Sequence, residues 1–156
     1  MPDELGSEKH FYRLFAEFEY KLDTQRRLAV PSCWRAENPS GRYTLIRARD
    51  GVLQLYPEQA FNEQYAEKLM RLRTGNAEDM RLARSFCSNC ILCVCDSQGR
   101  IQLPKDLLEK VGIKTRVAMI GCGNLIQLLS GERRERELAE IKEKGGEDDY
   151  ISVMDL

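Results

Sequence analysis

Two arginines, Arg27 and Arg100, stand at the same place in two copies of one short motif. The first copy spans residues 23–31 and the second spans residues 96–104, 73 positions later. In both copies polar, turn-forming residues precede the arginine, and alternating apolar residues and a proline follow it. Each copy therefore predicts a tight turn that presents a guanidinium group and leads into a short, half-buried strand. Such a group can bind a phosphate or a base edge through paired hydrogen bonds.

The alternative is that each arginine is only a solvated charge at a hairpin tip, which is the usual role of a charged turn. The repetition favours a shared role instead. The agreement between the copies also resumes downstream, where residues 53–55 (Leu-Gln-Leu) match residues 126–128 (Ile-Gln-Leu) at the same offset. A register that runs this far without an insertion indicates an internal duplication.

Four of the six cysteines form a second candidate site, at positions 87, 90, 93 and 95. Thiolates at short spacing are common zinc ligands. The duplication favours packing instead, because it aligns Cys93 with Tyr20 and Cys95 with Leu22 on the apolar face of a predicted strand. We therefore expect no metal, no other cofactor and no disulfide, and keep a zinc-binding or redox domain as an alternative.

The residues offer no catalytic constellation. The only histidine is His10, in the opening segment, so a Ser-His or Cys-His pair would depend on an unanchored residue. A glycine-rich phosphate loop is also absent from the sequence. The chain is predicted to be a binding protein and not an enzyme.

Hydrophobic spacing and turn residues predict the elements that would position the arginines. Strands are expected at 18–22, 43–46, 52–56, 117–120 and 125–129, and helices at 57–73, 77–86, 105–111 and 132–144. Trp34 is predicted to be a core anchor. Lys68, Arg84 and the three basic residues between them form either a solvated helical face or a face that contacts DNA directly.

Further residues, taken in order, resemble the MraZ regulators of bacteria, whose two tandem AbrB-like halves each carry D-x-x-G-R-[LI]-x-x-P. The second copy of the motif matches at every fixed position, whereas the first has Arg26 in place of glycine. Arginine does not reach positive φ freely, so the first turn is expected to be distorted. The resemblance covers roughly residues 14–130 and continues through Pro31-x-x-Trp34-Arg35, Leu53-Gln54-Leu55-Tyr56-Pro57 and Arg84-x-Phe86-x-Ser88-Asn89.

The resemblance implies an α+β, β-rich fold in which two tandem swapped-hairpin AbrB-like halves form a double-split β-barrel with packed helices. The expected parts are an N-terminal arm (1–13), a first half with its helix (14–74), a second half with its preceding helix (75–131), and a charged C-terminal helix with an acidic tail (132–156). Residues 147–149 of that tail are expected to be disordered.

The same resemblance implies a sequence-specific DNA-binding transcription regulator. Its partner would be double-stranded DNA with repeated elements in the promoter of the division and cell-wall gene cluster, and its subunits would assemble into a ring-like homo-oligomer. The implied DNA contacts are Arg27 and Arg100, with Arg26 and Lys21 as weaker neighbours. The implied structural residues of the motif are Asp23, Pro31, Asp96, Gly99 and Pro104. An antitoxin-like module that grips a toxin through the acidic tail is the alternative within this fold group.

Charge and composition agree with a selective binder. The net charge is −1, which argues against a protein that coats nucleic acid indiscriminately. Residues 132–156 carry −4 and residues 1–131 carry +3, so DNA binding would need concentrated basic patches. No apolar run approaches the ~20 residues of a membrane span, and the first residues lack the pattern of a signal peptide. We expect a cytoplasmic, nucleoid-associated protein without a membrane partner.

Overall fold

The computed structural model describes residues 10–156, which form an α+β fold. Its strands are β1 (Glu17–Lys21), β2 (Arg27–Ala29), β3 (Arg42–Arg47), β4 (Leu53–Pro57), β5 (Ile91–Val94), β6 (Arg100–Gln102), β7 (Arg116–Gly121) and β8 (Ile126–Ser130). Its helices are α1 (Ser32–Glu37), α2 (Glu58–Met70), α3 (Ala77–Ser88), α4 (Lys105–Lys110), α5 (Gly131–Glu143) and α6 (Asp149–Val153). None of the helices in residues 10–156 has the length and apolar character needed to cross a membrane.

The strands form two antiparallel sheets that interleave the two repeats. The larger sheet has the order β1-β7-β8-β4-β3-β5, and the smaller one pairs β2 with β6. β1 of the first repeat therefore lies against β7 of the second, and β5 of the second lies against β3 of the first. The predicted α+β, β-rich class is confirmed. Among the described residues no pairing closes the larger sheet into a barrel.

The duplication is visible in the element boundaries. β2 and β6, α1 and α4, β4 and β8, and α2 and α5 each begin 73 residues apart and have equal lengths within each pair. The predicted hairpins and helices are confirmed to within a few residues at their ends. A pseudo-two-fold relation between the repeats follows, with β4 and β8 as the central antiparallel pair.

The two ends of the chain differ from the predictions. Residues 1–9, most of the predicted N-terminal arm, lie outside the described residues. At the end of that arm Tyr12 is buried, and its N–H donates to Asn124 Oδ1 over 3.0 Å. The prediction that residues 147–149 are disordered is wrong: α6 begins at Asp149, whose N–H donates to the Gly146 carbonyl, and Gly146 N–H donates to Ile141 O over 2.9 Å.

The core lies between the two sheets and draws apolar side chains from both repeats. Trp34 is 1% exposed, contacts Phe18 edge-to-face at 5.1 Å between ring centroids, and donates its indole N–H to the Phe15 carbonyl over 2.8 Å. The prediction of a core anchor is confirmed. Leu28 of β2 and Ile101 of β6 are fully buried. These two side chains attach the small sheet, which carries both motifs, to the core.

Candidate nucleic-acid interface

The two motif turns have the same hydrogen-bond geometry. Asp23 Oδ1 accepts from the N–H groups of Gln25 and Arg27, both at 2.8 Å. In the second copy the corresponding distances from Asp96 Oδ1 are 2.9 Å to Gln98 and 3.0 Å to Arg100. An aspartate that accepts from the backbone two residues on closes a turn locally, which is why it opens each motif.

The expected distortion of the first turn does not occur. Arg26 has φ = 61° and Gly99 has φ = 75°, so both residues occupy the left-handed region. In each turn the N–H of this residue donates to the carbonyl of the motif aspartate over 3.0 Å. The surrounding contacts thus hold Arg26 in a conformation that costs a non-glycine residue about 1 kcal/mol.

Each aspartate also fixes the side chain of its motif arginine. Arg27 Nε donates to Asp23 Oδ2 over 2.6 Å, and Arg100 Nε donates to Asp96 Oδ2 over 3.0 Å. Asp23 Oδ2 lies 3.7 Å from Arg100 Nη1 as well. The side chains of Arg27 and Arg100 remain 31% and 25% exposed. The two repeats therefore present one composite arginine patch, in which each carboxylate accepts from the Nε–H of its own arginine and Asp23 approaches both guanidinium groups.

The pKa values of both aspartates reflect this geometry. The backbone N–H of Arg27 is the largest cause that lowers the pKa of Asp23, ahead of the Arg27 side chain. The backbone N–H of Arg100 acts in the same way on the pKa of Asp96. Both groups are therefore ionised at neutral pH, and each holds its arginine by charge as well as by hydrogen bonding.

The elements after each turn anchor the patch. β2 and β6 pair with Arg27 opposite Gln102 and Ala29 opposite Arg100, so both arginines belong to one two-stranded ladder. Pro31 and Pro104 end these strands at the N-caps of α1 and α4, where their carbonyls accept the first helical hydrogen bonds. Proline suits this place because its ring fixes φ before the helix begins, and because it has no backbone N–H that would need a partner.

A guanidinium group lies beside each turn, but the two repeats supply it from different positions. Beside the second turn, Arg35 of α1 lies against Gly99 and donates through Nε to the Val30 carbonyl over 3.0 Å. At the first turn, Arg26 of the turn itself donates through Nε to the Leu103 carbonyl over 3.2 Å. Val30 and Leu103 are equivalent under the 73-residue repeat, and so are Arg35 and Leu108.

The different positions of Arg35 and Arg26 explain why the second turn has glycine at position 99. A Cβ atom on Gly99 would lie 2.6 Å from Arg35 Cζ, so a side chain there would displace the Arg35 guanidinium group. Where Leu108 replaces the helical arginine, the turn residue can be an arginine that reaches the equivalent carbonyl itself. Arg26 thus supports the first turn through the Leu103 carbonyl. Sequence reasoning gave no role to Arg35; the visible signal was the paired difference between the repeats at positions 26/99 and 35/108.

The other candidate residues lie outside the patch. Lys21 is exposed at the end of β1, opposite Arg116 of β7. Within the described residues no group of three or more His, Cys, Asp or Glu residues is placed to hold a metal ion. Cys93 is buried on β5, and burial raises the pKa of its thiol to about 11, as expected of a packing residue.

The comparisons with known proteins agree on one family. A family model described as "MraZ protein, putative antitoxin-like" matches residues 14–84. The transcriptional regulator MraZ of Bacteroides fragilis is 34% identical over 137 residues, which cover 85% of this chain and 87% of the relative. That of Mycoplasmopsis pulmonis is 35% identical over 118 residues, or 75% of this chain and 78% of the relative. The chain belongs to the MraZ family of transcriptional regulators.

Proposed function

We propose that this protein is a sequence-specific DNA-binding regulator that reads repeated elements in the promoter of the division and cell-wall gene cluster. Its binding surface is the composite patch of Arg27 and Arg100. The two sheets form the double-split β-barrel of this fold group, and subunits assemble into a ring that repeats the patch. The protein acts in the cytoplasm at the nucleoid.

The observation that carries the proposal is the pair of aspartate-held arginines on one two-stranded ladder. An arginine held through Nε keeps its fork in a fixed plane, and a fixed fork suits bidentate binding of a guanine edge or a phosphate. Because Asp23 contacts both arginines, the two side chains are oriented together. Repetition of the patch around an oligomer would multiply a modest affinity for each site.

Lys21 and Arg26 take lesser parts in this proposal. Lys21 is exposed and adds a charge near the end of β1 that attracts the DNA backbone. Arg26 is partly buried and donates to the Leu103 carbonyl, so it holds the turn that positions Arg27.

The test is titration of single and double variants against DNA. Fragments bound by the parent protein are first captured from genomic DNA of the source organism and sequenced. The recovered repeat and a scrambled duplex are then titrated with Arg27→Ala, Arg100→Ala and the double variant at two salt concentrations. A lost guanine contact should weaken cognate binding by ~1–3 kcal/mol and relax specificity, whereas a lost phosphate contact should weaken both duplexes alike and flatten the salt dependence.

Arg71→Ala is the matched control, because Arg71 is 72% exposed at the end of α2 and pairs with Glu67. We expect it to bind DNA like the parent. A double variant that keeps its oligomeric mass and the parent's affinity would show that the assigned patch is wrong. A loss confined to Arg71→Ala would move the DNA surface to the basic residues between Lys68 and Arg84.

A second candidate function is antitoxin-like binding of a small basic protein. The description of the matching family model contains the words "antitoxin-like", and residues 132–156 carry a net charge of −4 that would suit a basic partner. Recovery of a small basic protein in a stoichiometric complex, lost when residues 147–156 are removed, would favour this function.

A further inference from the structure

A glutamine stands at the same place in both motif turns, as Gln25 in the first copy and Gln98 in the second. Of the three residues between the motif aspartate and the motif arginine, the glutamine is the only one that is identical in the two copies. Both glutamines are exposed. Neither of them belongs to the composite arginine patch, although each lies two positions before one of its arginines.

The backbone of each turn holds its glutamine in a defined place. The N–H of Arg26 donates to the Asp23 carbonyl over 3.0 Å, and Gly99 and Asp96 repeat this bond, so the glutamine is the third residue of a four-residue β-turn. The glutamine N–H donates to Oδ1 of the same aspartate, over 2.8 Å in the first copy and 2.9 Å in the second. Because Oδ2 of that aspartate holds the motif arginine, one carboxylate positions both residues.

The side-chain amides of Gln25 and Gln98 are available to a ligand. Among residues 10–156 neither amide takes part in a hydrogen bond within the protein, whereas Gln102, opposite Arg27 on the ladder, donates through Nε2 to the Gln25 carbonyl over 3.0 Å. A free amide group offers an acceptor oxygen and a donor nitrogen side by side. Adenine offers the complementary pair in the major groove, with N7 as acceptor and the N6 amino group as donor.

The small sheet has a shape that can bring these amides to base edges. β2 and β6 form a two-stranded antiparallel ladder, and the major groove of B-DNA admits a ribbon of two strands. An arginine fork suits the two acceptors of guanine, whereas a glutamine amide suits the donor and acceptor of adenine. Each motif turn thus carries one group suited to guanine and one suited to adenine, two residues apart.

We propose that Gln25 and Gln98 read adenine in the major groove, beside the groups that Arg27 and Arg100 bind. The amide oxygen accepts from the N6 amino group of adenine, and the amide nitrogen donates to N7. This inference rests on the proposed DNA-binding function and deepens it, because it names a base that the protein selects and the side chains that select it.

The experiment is selection from a randomised duplex library, followed by titration of the selected duplex. It uses the full chain as the parent protein, Gln25→Ala, Gln98→Ala and the double variant. Gln64→Ala is the matched control, because Gln64 is an exposed glutamine on α2, outside the motif turns. Circular dichroism and Trp34 fluorescence verify that each variant is folded, and light scattering verifies that its mass equals that of the parent.

We expect the parent and Gln64→Ala to select the same sequence, with adenine at one or more positions. The double variant should lose the preference for adenine there and keep its other base preferences, because Arg27 and Arg100 are intact. Each single variant should bind the selected duplex roughly 5- to 150-fold more weakly than the parent, as expected for one lost bidentate base contact.

A base analogue separates base reading from a structural role of the glutamines. 7-Deazaadenine lacks the N7 acceptor, so its substitution for the selected adenine should weaken binding by the parent and by Gln64→Ala. The same substitution should not affect the double variant, which has no amide to donate to N7. A glutamine that only stabilises its turn would leave all of these proteins equally sensitive to the analogue.

Three results would overturn the inference. If the double variant selects the parent's sequence and binds it with the parent's affinity, the glutamines are solvated turn residues, and the DNA-binding proposal stands. If the double variant binds every duplex more weakly by the same factor and keeps the preference for adenine, the glutamines contact the phosphate backbone. A parent that selects no sequence would remove the proposed function, and the inference with it.

Discussion

Arg26 and Arg35 show how a single position in one repeat constrains another position across the molecule. Each fills the space beside a motif turn with a guanidinium group and donates to an equivalent carbonyl, on Leu103 and Val30 respectively. A side chain at position 99 would therefore displace Arg35, and it would also have to adopt the φ of 75° that favours glycine. The first motif has arginine where the second has glycine, and the helix position equivalent to Arg35 is Leu108 in the second repeat.

Substitution of Gly99 tests this arrangement. We expect Gly99→Ala to lower the free energy of unfolding by ~1–3 kcal/mol, since it places a β-carbon at positive φ and displaces Arg35 from the Val30 carbonyl. Gly112→Ala is the control, because Gly112 has φ = 71° and no atom within 4 Å of a built Cβ; its cost should be about 1 kcal/mol. Urea unfolding followed by Trp34 fluorescence measures both.

A double-mutant cycle separates the crowding from the backbone strain. In an Arg35→Ala background Gly99→Ala should cost no more than Gly112→Ala does. If Gly99→Ala costs the same with and without Arg35, the guanidinium group does not determine the residue at position 99.

At the scale of elements, each motif turn depends on an ionised aspartate, and this gives a pH dependence of known sign. Hydrogen bonds from the Arg27 and Arg100 backbone lower the pKa values of Asp23 and Asp96 in the folded protein. A lowered pKa contributes stability above the unfolded value of about 3.9, and that stability is lost as the pH falls through the folded pKa. The turns should therefore loosen first as the pH falls below about 4.

The measurement is carbon-13 NMR of the aspartate carboxyl groups, together with urea unfolding between neutral and acidic pH. Asp23 and Asp96 should titrate below the ordinary range of aspartate. The Asp23→Asn/Asp96→Asn variant should lose less stability than the parent over the same acidic range, because its turns contain no group that protonates. Parallel pH curves for the two proteins would contradict the assignment.

Most elements could be predicted because each has a local signal. The Asp50-Gly51 turn of the first hairpin provides two residues at positive φ, 62° and 70°, and Pro57 and Asn76 stand at the N-caps of α2 and α3. Helix α6 was missed although Asp148 stands at its N-cap and Asp149 in its first turn, because the two glycines and the acidic run favoured a disordered tail. Its order comes from hydrogen bonds back to the end of α5, which composition does not reveal.

The candidate site was predictable in its residues and only partly in its geometry. Repetition of the motif identified Arg27 and Arg100, and the turn aspartates were recognised as structural. Local sequence does not show that Asp23 also approaches Arg100 at 3.7 Å, because this contact depends on the pairing of β2 with β6. The role of Arg35 was missed for the same reason, since its neighbour Gly99 lies in the other repeat.

At the scale of the whole molecule, each repeat keeps one hairpin of its own, β3–β4 or β7–β8, and its other strands pair with the other repeat. β1 needs β7, β2 needs β6, and β5 needs β3. Ion pairs also join the two repeats. Arg134 of α5 donates to Glu17 of β1 over 2.9 Å, and Arg116 of β7 lies 3.2 Å from Glu19. We therefore expect the chain to fold as one unit despite its duplicated sequence.

Separate expression of the two repeats tests this conclusion. A fragment of residues 10–74 retains only the β3–β4 hairpin and loses the partners of β1 and β2. Isolated hairpins are marginal in water, so we expect this fragment and one of residues 75–156 to lack cooperative unfolding as monomers. Mixing them should restore the native fold, detected as cooperative urea unfolding with Trp34 fluorescence.

The Arg26 and Arg35 exchange further predicts that the fragments prefer each other to themselves. Two copies of the first repeat would bring Arg26 and Arg35 to the same carbonyl, where two guanidinium groups compete and repel. Two copies of the second would bring Gly99 and Leu108 together and leave that carbonyl without an arginine. Only the mixed pair supplies one guanidinium group to each turn, so these residues disfavour the pairing of either repeat with a second copy of itself. Native mass spectrometry of the mixture should show 1:1 pairs in excess over either homodimer, and Arg26→Gly in the first fragment should raise its homodimer fraction. A statistical mixture of the three dimers, unchanged by Arg26→Gly, would show that the exchange supports the turns without selecting their partners.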